Sequence, residues 1–327
     1  MMKALVYDGP KAISYREVPD PNPRQDHVLI MIKAVGICGS DMHAYLGHDE
    51  RRPAPLILGH EAAGIICKGA RDGERVTINP LVSCGKCSAC GTGRENICPD
   101  RQIISMPPRV GAFAQYVTIP ERNLVNVPTK YSLDKAALVE PLAVGWHTAK
   151  LAANAIDANI EKKALVIGGG AIGLATALAL KAMGTTELTI SECNPLRRQY
   201  LLEHIDANVV EKTESSFSIV IDAVGFGSTR AVASQLVSPG GVIAHVGLGD
   251  NTNGLDVRRI TLQEITFIGT YTYTAQDFKD TAEALFAGRL GTLDWIEKRP
   301  LSEGESSFQD LRRNKVAAPK IVLKPWQ

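Results

Sequence analysis

The chain is predicted to be an α/β protein: a β-rich first part, then a doubly wound parallel sheet. Three observations predict this. Between about residues 136 and 270, short apolar runs alternate with helical runs, the pattern of strands joined by crossover helices. Within that stretch, Gly168, Gly170 and Gly173 stand in G-x-G-x-x-G register between a strand-like and a helix-like run. Before residue 136, short strand-like runs are broken by Gly and Pro. At 327 residues the chain is long enough for two cores.

The elements follow in order. MMKALVYDGP enters a strand-like run at once, and VLIMIKAVGI, AAGIICKGA, RVTINP and FAQYVTIP continue the β-rich part over residues 1–135. The strands of the second part, residues 136–274, are expected in LVIGGG, ELTIS, SIVIDAVG, GVIAHVGLG and ITFIGT. From about 275 the tail carries a helical run, DFKDTAEALFAGRL, and a final strand, AAPKIVLKP. Net charge is +1, so electrostatics suggests no nucleic-acid partner. No signal peptide or long apolar span stands out, and the expectation is a cytoplasmic enzyme with no membrane partner.

Four of the seven cysteines crowd into SCGKCSACGTGRENIC: Cys84, Cys87, Cys90 and Cys98, spaced C-x2-C-x2-C-x7-C. Four thiolates this close give zinc the tetrahedral shell it prefers, and such a closed shell is structural. It points to a second, open metal site. GICGSDMH carries Cys38, LGHEAAG carries His60 and Glu61, and VEPLAVGWH carries Glu140. Cys, His and carboxylate are all zinc ligands, and a catalytic ion keeps one position open. Cys67 and Cys193 read as ordinary thiols, and His27, His48, His204 and His245 as ordinary imidazoles.

The glycine turn is read as a dinucleotide site. The glycines permit a tight turn and close approach of a pyrophosphate, which the helix N-terminus at Ala171 and Ile172 attracts. The strand ELTIS leads to Glu192, whose carboxylate can accept both ribose hydroxyls of NAD and repels a 2′-phosphate. Arg197 and Arg198 lie just beyond; a solvated helix face is the preferred reading for them, and Arg197 is the phosphate partner if NADP is used. NAD is expected over NADP. Val224, Val246 and Gly247, at the ends of the next strands, complete the candidate cofactor contacts.

CGSDMH (38–43), GHEAAG (59–64), the cysteine loop (84–98), GAFAQYV (111–117), EPLAVGWH (140–147) and GGGAIG (168–173) together resemble the zinc-dependent medium-chain alcohol and polyol dehydrogenases, in that family's order and over nearly the whole chain. The resemblance implies a discontinuous GroES-like, β-rich catalytic domain, 1–135 with 275–327, and a Rossmann-type NAD-binding domain, 136–274, with the site between them. It implies two zinc ions per chain, a small-molecule alcohol or polyol substrate and a homo-oligomer, tetramer or dimer. One departure is visible: the stretch from Gly64 to Cys84 is shorter than usual in the family and is read as a trimmed surface turn.

In such enzymes zinc acidifies the alcohol and hydride passes to the nicotinamide. Ser40 and His43 match the proton relay, for which imidazole has a suitable pKa. The second thiolate of ethanol-type enzymes aligns with Glu140, and Glu61 follows His60, a pattern similar to the sorbitol and polyol branch. Which of the two glutamates binds zinc directly stays open. Tyr45, Phe113, Tyr271 and Tyr273 are pocket candidates; Thr272 stands where some polyol dehydrogenases carry Arg. The charged run His48 to Arg52 reads as a solvated loop in preference to a contact for an acidic or phosphorylated substrate. The expected reaction is reversible NAD-linked oxidation of a secondary hydroxyl in a polyol or sugar derivative. The alternatives are a threonine or butanediol dehydrogenase and, from another class, an inactive zinc-bearing regulatory or binding protein.

Overall fold

The structure, a computed structural model, describes residues 1–327 and divides into two compact units. The first comprises Met1–Glu140, Thr274–Ala287 and Trp295–Gln327; the second comprises Pro141–Tyr273 and Gly288–Asp294. The short excursion at 288–294, which the sequence placed with the tail, thus belongs to the second unit.

In the first unit, strand His27–Gly36 is the hub of a seven-stranded sheet. It pairs antiparallel with Glu61–Cys67, Tyr116–Pro120 and Lys320–Lys324. Gly36 lies opposite Glu61 on one side and Val322 on the other. The chain's last strand is therefore laid beside the strand that leads into Cys38. Glu61–Cys67 pairs with Arg75–Ile78 through a tight turn in which Lys68, Gly69 and Gly73 all have positive φ. Strand Ile296–Pro300 and helix Gly304–Arg312 were not expected from sequence. That helix buries Phe308 against Tyr45, centroids 5.1 Å apart, and edge-on to Phe113, 6.0 Å apart.

The second unit is a six-stranded parallel sheet. Its order is Asn208–Val210, Glu187–Ser191, Lys163–Ile167, Phe217–Asp222, Val237–His245, Thr266–Gly269. Strand Phe217–Asp222 is buried throughout, as a strand covered on both faces must be. Order reverses between Lys163–Ile167 and Phe217–Asp222, the switch point at which such sheets bind ligands. No helix is long and apolar enough to cross a membrane.

Candidate active site and metal centres

The four-cysteine loop is built locally. Cys87 caps a one-turn helix, Ser88–Gly91, and its sulfur accepts the Cys90 N–H at 3.5 Å. Cys84 and Cys90 sulfurs are 3.9 Å apart, Cys87 and Cys90 sulfurs 3.5 Å, and all four lie within 4.8 Å of one another. A tetrahedral shell with Zn–S of about 2.3 Å puts sulfurs at about 3.8 Å, so the loop fits zinc. The N–H groups of Lys86 and Cys87 lower the Cys84 pKa to about 6, which favours the ligating thiolate.

The second centre is assembled from distant segments. Cys38 caps helix Gly39–Tyr45, and His60 and Glu61 open strand Glu61–Cys67. Ligand atoms of Cys38, His60 and Glu61 come within 4.8 Å of one another. Asp41, fully buried, binds this set from behind. Its Oδ2 accepts the Cys38 N–H at 3.0 Å, and its Oδ1 accepts the Gly59 N–H at 3.1 Å and lies 3.5 Å from His60 Nδ1. Ser105 Oγ also reaches His60 Nδ1, at 3.3 Å. Both contacts engage Nδ1, which leaves Nε2 for a metal, the arrangement in which an outer carboxylate fixes a ligating imidazole. Burial by itself lowers the His60 pKa, but the charges of Asp41 and Cys38 outweigh it and raise it well above the usual value. A pocket that draws a proton onto buried imidazole suits a cation.

Glu61 supplies the second sign of a metal. Its Oε2 is buried and has no hydrogen-bond partner, an orphan that a cation satisfies. Its Oε1 accepts from Lys320 Nζ at 2.7 Å, and Nζ also donates to Ile37 O at 2.9 Å. Lys320 is 3% exposed. Burial lowers its pKa, but the charges of Glu61, Cys38 and Glu140 prevail and raise it, so it stays an ammonium. Gly36 leaves room for this carboxylate, since a Cβ on it would sit 2.1 Å from Glu61 Oε2 and force it to shift. Glu140 is buried in the first turn of helix Val139–Ala155. The compact ligand group contains Glu61 and not Glu140.

Ser40 is half-buried and His43 exposed, both on helix Gly39–Tyr45. Tyr45, at 2% exposure, and Phe113, at 0%, pack on Phe308. Tyr273 is buried and Tyr271 half-buried, both in the second unit. The run His48–Arg52 is not a wholly solvated loop. Arg52 is 4% exposed and its Nη1 meets Asp49 Oδ2 at 2.6 Å.

The dinucleotide turn has the expected form. Helix Ala171–Ala182 starts at Gly170, where an added Cβ would meet nothing within 4 Å, so the space above the turn is open for phosphate. At Gly173 a Cβ would fall 1.8 Å from Gly168 O, which enforces glycine there. Ile172 and Ala171 form the first turn. Glu192 is 4% exposed and already engaged: Oε2 accepts the Gly169 N–H at 2.9 Å and Oε1 the Asn194 N–H at 2.8 Å, with Arg197 Nη1 3.4 Å from Oε2. It therefore ties the glycine turn to the next strand. Val224 and Val246–Gly247 follow neighbouring strands, and their loops touch: a Cβ on Gly247 would sit 2.2 Å from the Val224 carbonyl carbon. Asp222 secures both loops by accepting the Val224 and Gly225 N–H groups and meeting His245 Nδ1 at 3.1 Å.

Sequence reasoning missed Asp41, Ser105, Lys320 and Asp222. Asp41 had a signal, since an acidic residue three after Cys38 is the pattern of a capping box. Lys320 and Ser105 had none.

Comparison with known proteins agrees with this construction. Residues 24–129 match the family model described as alcohol dehydrogenase GroES-like domain, and residues 171–287 that described as zinc-binding dehydrogenase. Sorbitol dehydrogenase of Bacillus subtilis (strain 168) is 30% identical, over 99% of this chain and 97% of that one. (R,R)-butanediol dehydrogenase of Saccharomyces cerevisiae is 28% identical, over 99% and 98%. The crystal structure of L-idonate 5-dehydrogenase from Escherichia coli superposes with a TM-score of 0.87 at 25% identity, covering 99% and 98% of the two chains. With thiolate, imidazole and carboxylate gathered in one unit and a glycine turn at the switch point of the other, the chain belongs to the zinc-dependent medium-chain alcohol and polyol dehydrogenases.

Proposed function

We propose that this protein reversibly oxidises a secondary hydroxyl of a polyol or sugar derivative to a ketone, with NAD as hydride acceptor. The observation that carries the substrate class is the polar metal centre: beside Cys38 and His60 stands Glu61, its charge balanced by buried Lys320. A substrate with neighbouring hydroxyls can form further hydrogen bonds in so polar and charged a centre, whereas a plain primary alcohol brings a single hydroxyl and an apolar chain to it. The names of the Bacillus subtilis and Escherichia coli relatives, sorbitol and L-idonate dehydrogenase, support the same class.

Cys38, His60 and Glu61 are the residues to hold the catalytic zinc, with Glu140 the reserve carboxylate, and Cys84, Cys87, Cys90 and Cys98 hold the structural one. Bound there, the catalytic ion supplies Lewis acidity that eases loss of the hydroxyl proton, and NAD bound at the glycine turn supplies the hydride acceptor. Ser40 accepts the released proton and His43, exposed to solvent, disposes of it. Gly168–Gly173 receives the pyrophosphate. Glu192 favours NAD by placing negative charge beside the turn, although its ties to Gly169 and Asn194 mean that it also holds that turn in shape. Assembly through the open edge strand Thr266–Gly269 and a cytoplasmic location belong to the same reading.

The test is initial rates with NAD and with NADP across pentitols, hexitols, aldonates, vicinal diols and simple primary alcohols. A secondary-hydroxyl polyol or sugar acid is expected to have the highest kcat/KM, with NAD. Primary alcohols oxidised at least as efficiently as every polyol, sugar acid and diol would reject the reading.

A further inference from the structure

We propose that Arg52 is a positioning residue for proton transfer, acting through Ser40. The inference rests on the relay reading of Ser40 above. Arg52 is almost fully buried, and its guanidinium reaches three backbone and side-chain groups around the metal centre. Nε donates to Ser105 O at 3.0 Å, Nη1 to Ser40 O at 3.3 Å, and Nη2 to Ser40 Oγ at 3.5 Å. Asp49 anchors the fork at 2.6 Å, and Asp49 is itself held by Arg51 at 2.8 and 3.0 Å. Ser105, whose carbonyl Arg52 holds, has φ +74° and puts its hydroxyl on His60 Nδ1.

The chemistry of guanidinium gives this contact a direction. Arginine has five donors and no acceptor. A hydroxyl facing it can only accept, so Ser40 must aim its own proton elsewhere. One lone pair of Ser40 is taken by Nη2, one remains to accept from a substrate hydroxyl, and the O–H is left to donate onward. That is the polarity a relay needs in the oxidation direction. A solvated serine instead rotates among orientations, and part of its population faces the wrong way. Asp49 cancels the charge, so the fork orients without serving as an anion site for substrate.

The test uses the zinc-loaded full chain, NAD and the fastest polyol of the panel above. Arg52→Lys keeps a charge but loses the fork. It is expected to lower kcat about 10- to 100-fold, below the roughly 100- to 10,000-fold contribution of a group that itself transfers the proton because Arg52 acts through Ser40, with KM for polyol and NAD changed less than about threefold and zinc content unchanged. The solvent deuterium effect on kcat should rise, because the proton step becomes slower. Should Arg52→Lys fail to fold, the pair D49N/R52Q, neutral at both positions, is measured in its place. Arg52→Ala should recover part of its rate with added guanidinium ion at millimolar concentration. The decisive arm is the combination with Ser40→Ala: in that background the Arg52 change should cost no further rate. Additive losses overturn the positioning role while leaving the relay intact. A Ser40→Ala enzyme with unaltered kcat overturns the relay itself, and this inference with it. Loss of zinc or of thermal stability in proportion to the lost rate would make Arg52 merely structural and also reject the proposal.

Discussion

The two metal centres of the first unit are built in opposite ways. The cysteine loop takes all four ligands from Cys84 to Cys98, and its geometry is set by a single helical turn and backbone N–H groups. The other centre takes Cys38 from a helix cap, His60 and Glu61 from a strand start, and its counter-charge from Lys320, 259 positions further on. The lesson is that four like thiolates need only proximity, whereas a mixed, open centre needs outer groups that fix tautomer and charge. Asp41, Ser105 and Lys320 are those groups here.

Breaking the dispersed centre should have the largest effect. Cys38→Ser is expected to remove one zinc and lower kcat/KM at least about a thousandfold, since metal charge stabilisation contributes several kcal/mol, while circular dichroism stays native. A variant that keeps two zinc ions would refute the assignment. Next, Lys320→Met leaves Glu61 charged, buried and unbalanced. Removal of one partner from a buried pair costs about 3–5 kcal/mol, read as a fall in the urea midpoint of metal-free protein. Adding Glu61→Gln should restore most of it, and a double variant no more stable than the single would show that the pair does not couple.

For the local centre, Cys90→Ser should lose the other zinc. Because structural zinc binding is coupled to folding, heat stability should fall by about 2–4 °C for each kcal/mol lost. Per remaining folded, zinc-loaded catalytic centre, turnover should stay within about twofold. Equal loss of turnover in Cys38→Ser and Cys90→Ser would erase the contrast between the two centres.

Smaller effects are expected in the second unit. Glu192→Ala should weaken NAD binding about tenfold, roughly 1.4 kcal/mol, and narrow the gap to NADP. Preference for NADP in the unaltered protein would move the assignment to Arg197. At Asp222, burial opposes ionisation, but bonds from His245, the Gly225 and Val224 N–H groups and Thr229 prevail and hold its pKa below the usual carboxylate value. Its folded pKa is depressed, so the stabilisation is complete above the unfolded value and is lost as pH falls through the folded one. The stability gap between the wild type and Asp222→Asn should therefore shrink as pH drops from 6 to 3. A gap independent of pH would reject this.

Much of this was legible in the sequence because the signals are local. The glycine turn, the alternation that gave five of the six parallel strands (the short edge strand Asn208–Val210 was not expected), and the cysteine spacing each lie within a few residues. Tyr45 and Phe113 were pocket candidates, and their packing on Phe308 was not legible because it joins segments more than 190 residues apart in the chain. Arg52 looked solvated because it lies in a charged run, and only the fold shows Ser105 and Ser40 closing over it. The sequence left open which glutamate stands with Cys38 and His60. The fold gathers Glu61 with Cys38 and His60, and it also brings the charge of Glu140, from the first turn of a helix, to bear on Lys320 beside them.

The placement of Lys320 has a consequence in time. A ribosome adding about 5–20 residues per second needs roughly 13–50 s to travel from Glu61 to Lys320. For that interval the nascent chain holds Cys38, His60 and Glu61 without their lysine, and the edge of strand His27–Gly36 that Lys320–Lys324 later occupies lies unpaired. Metal captured during synthesis thus meets a more negative site than metal entering the finished protein.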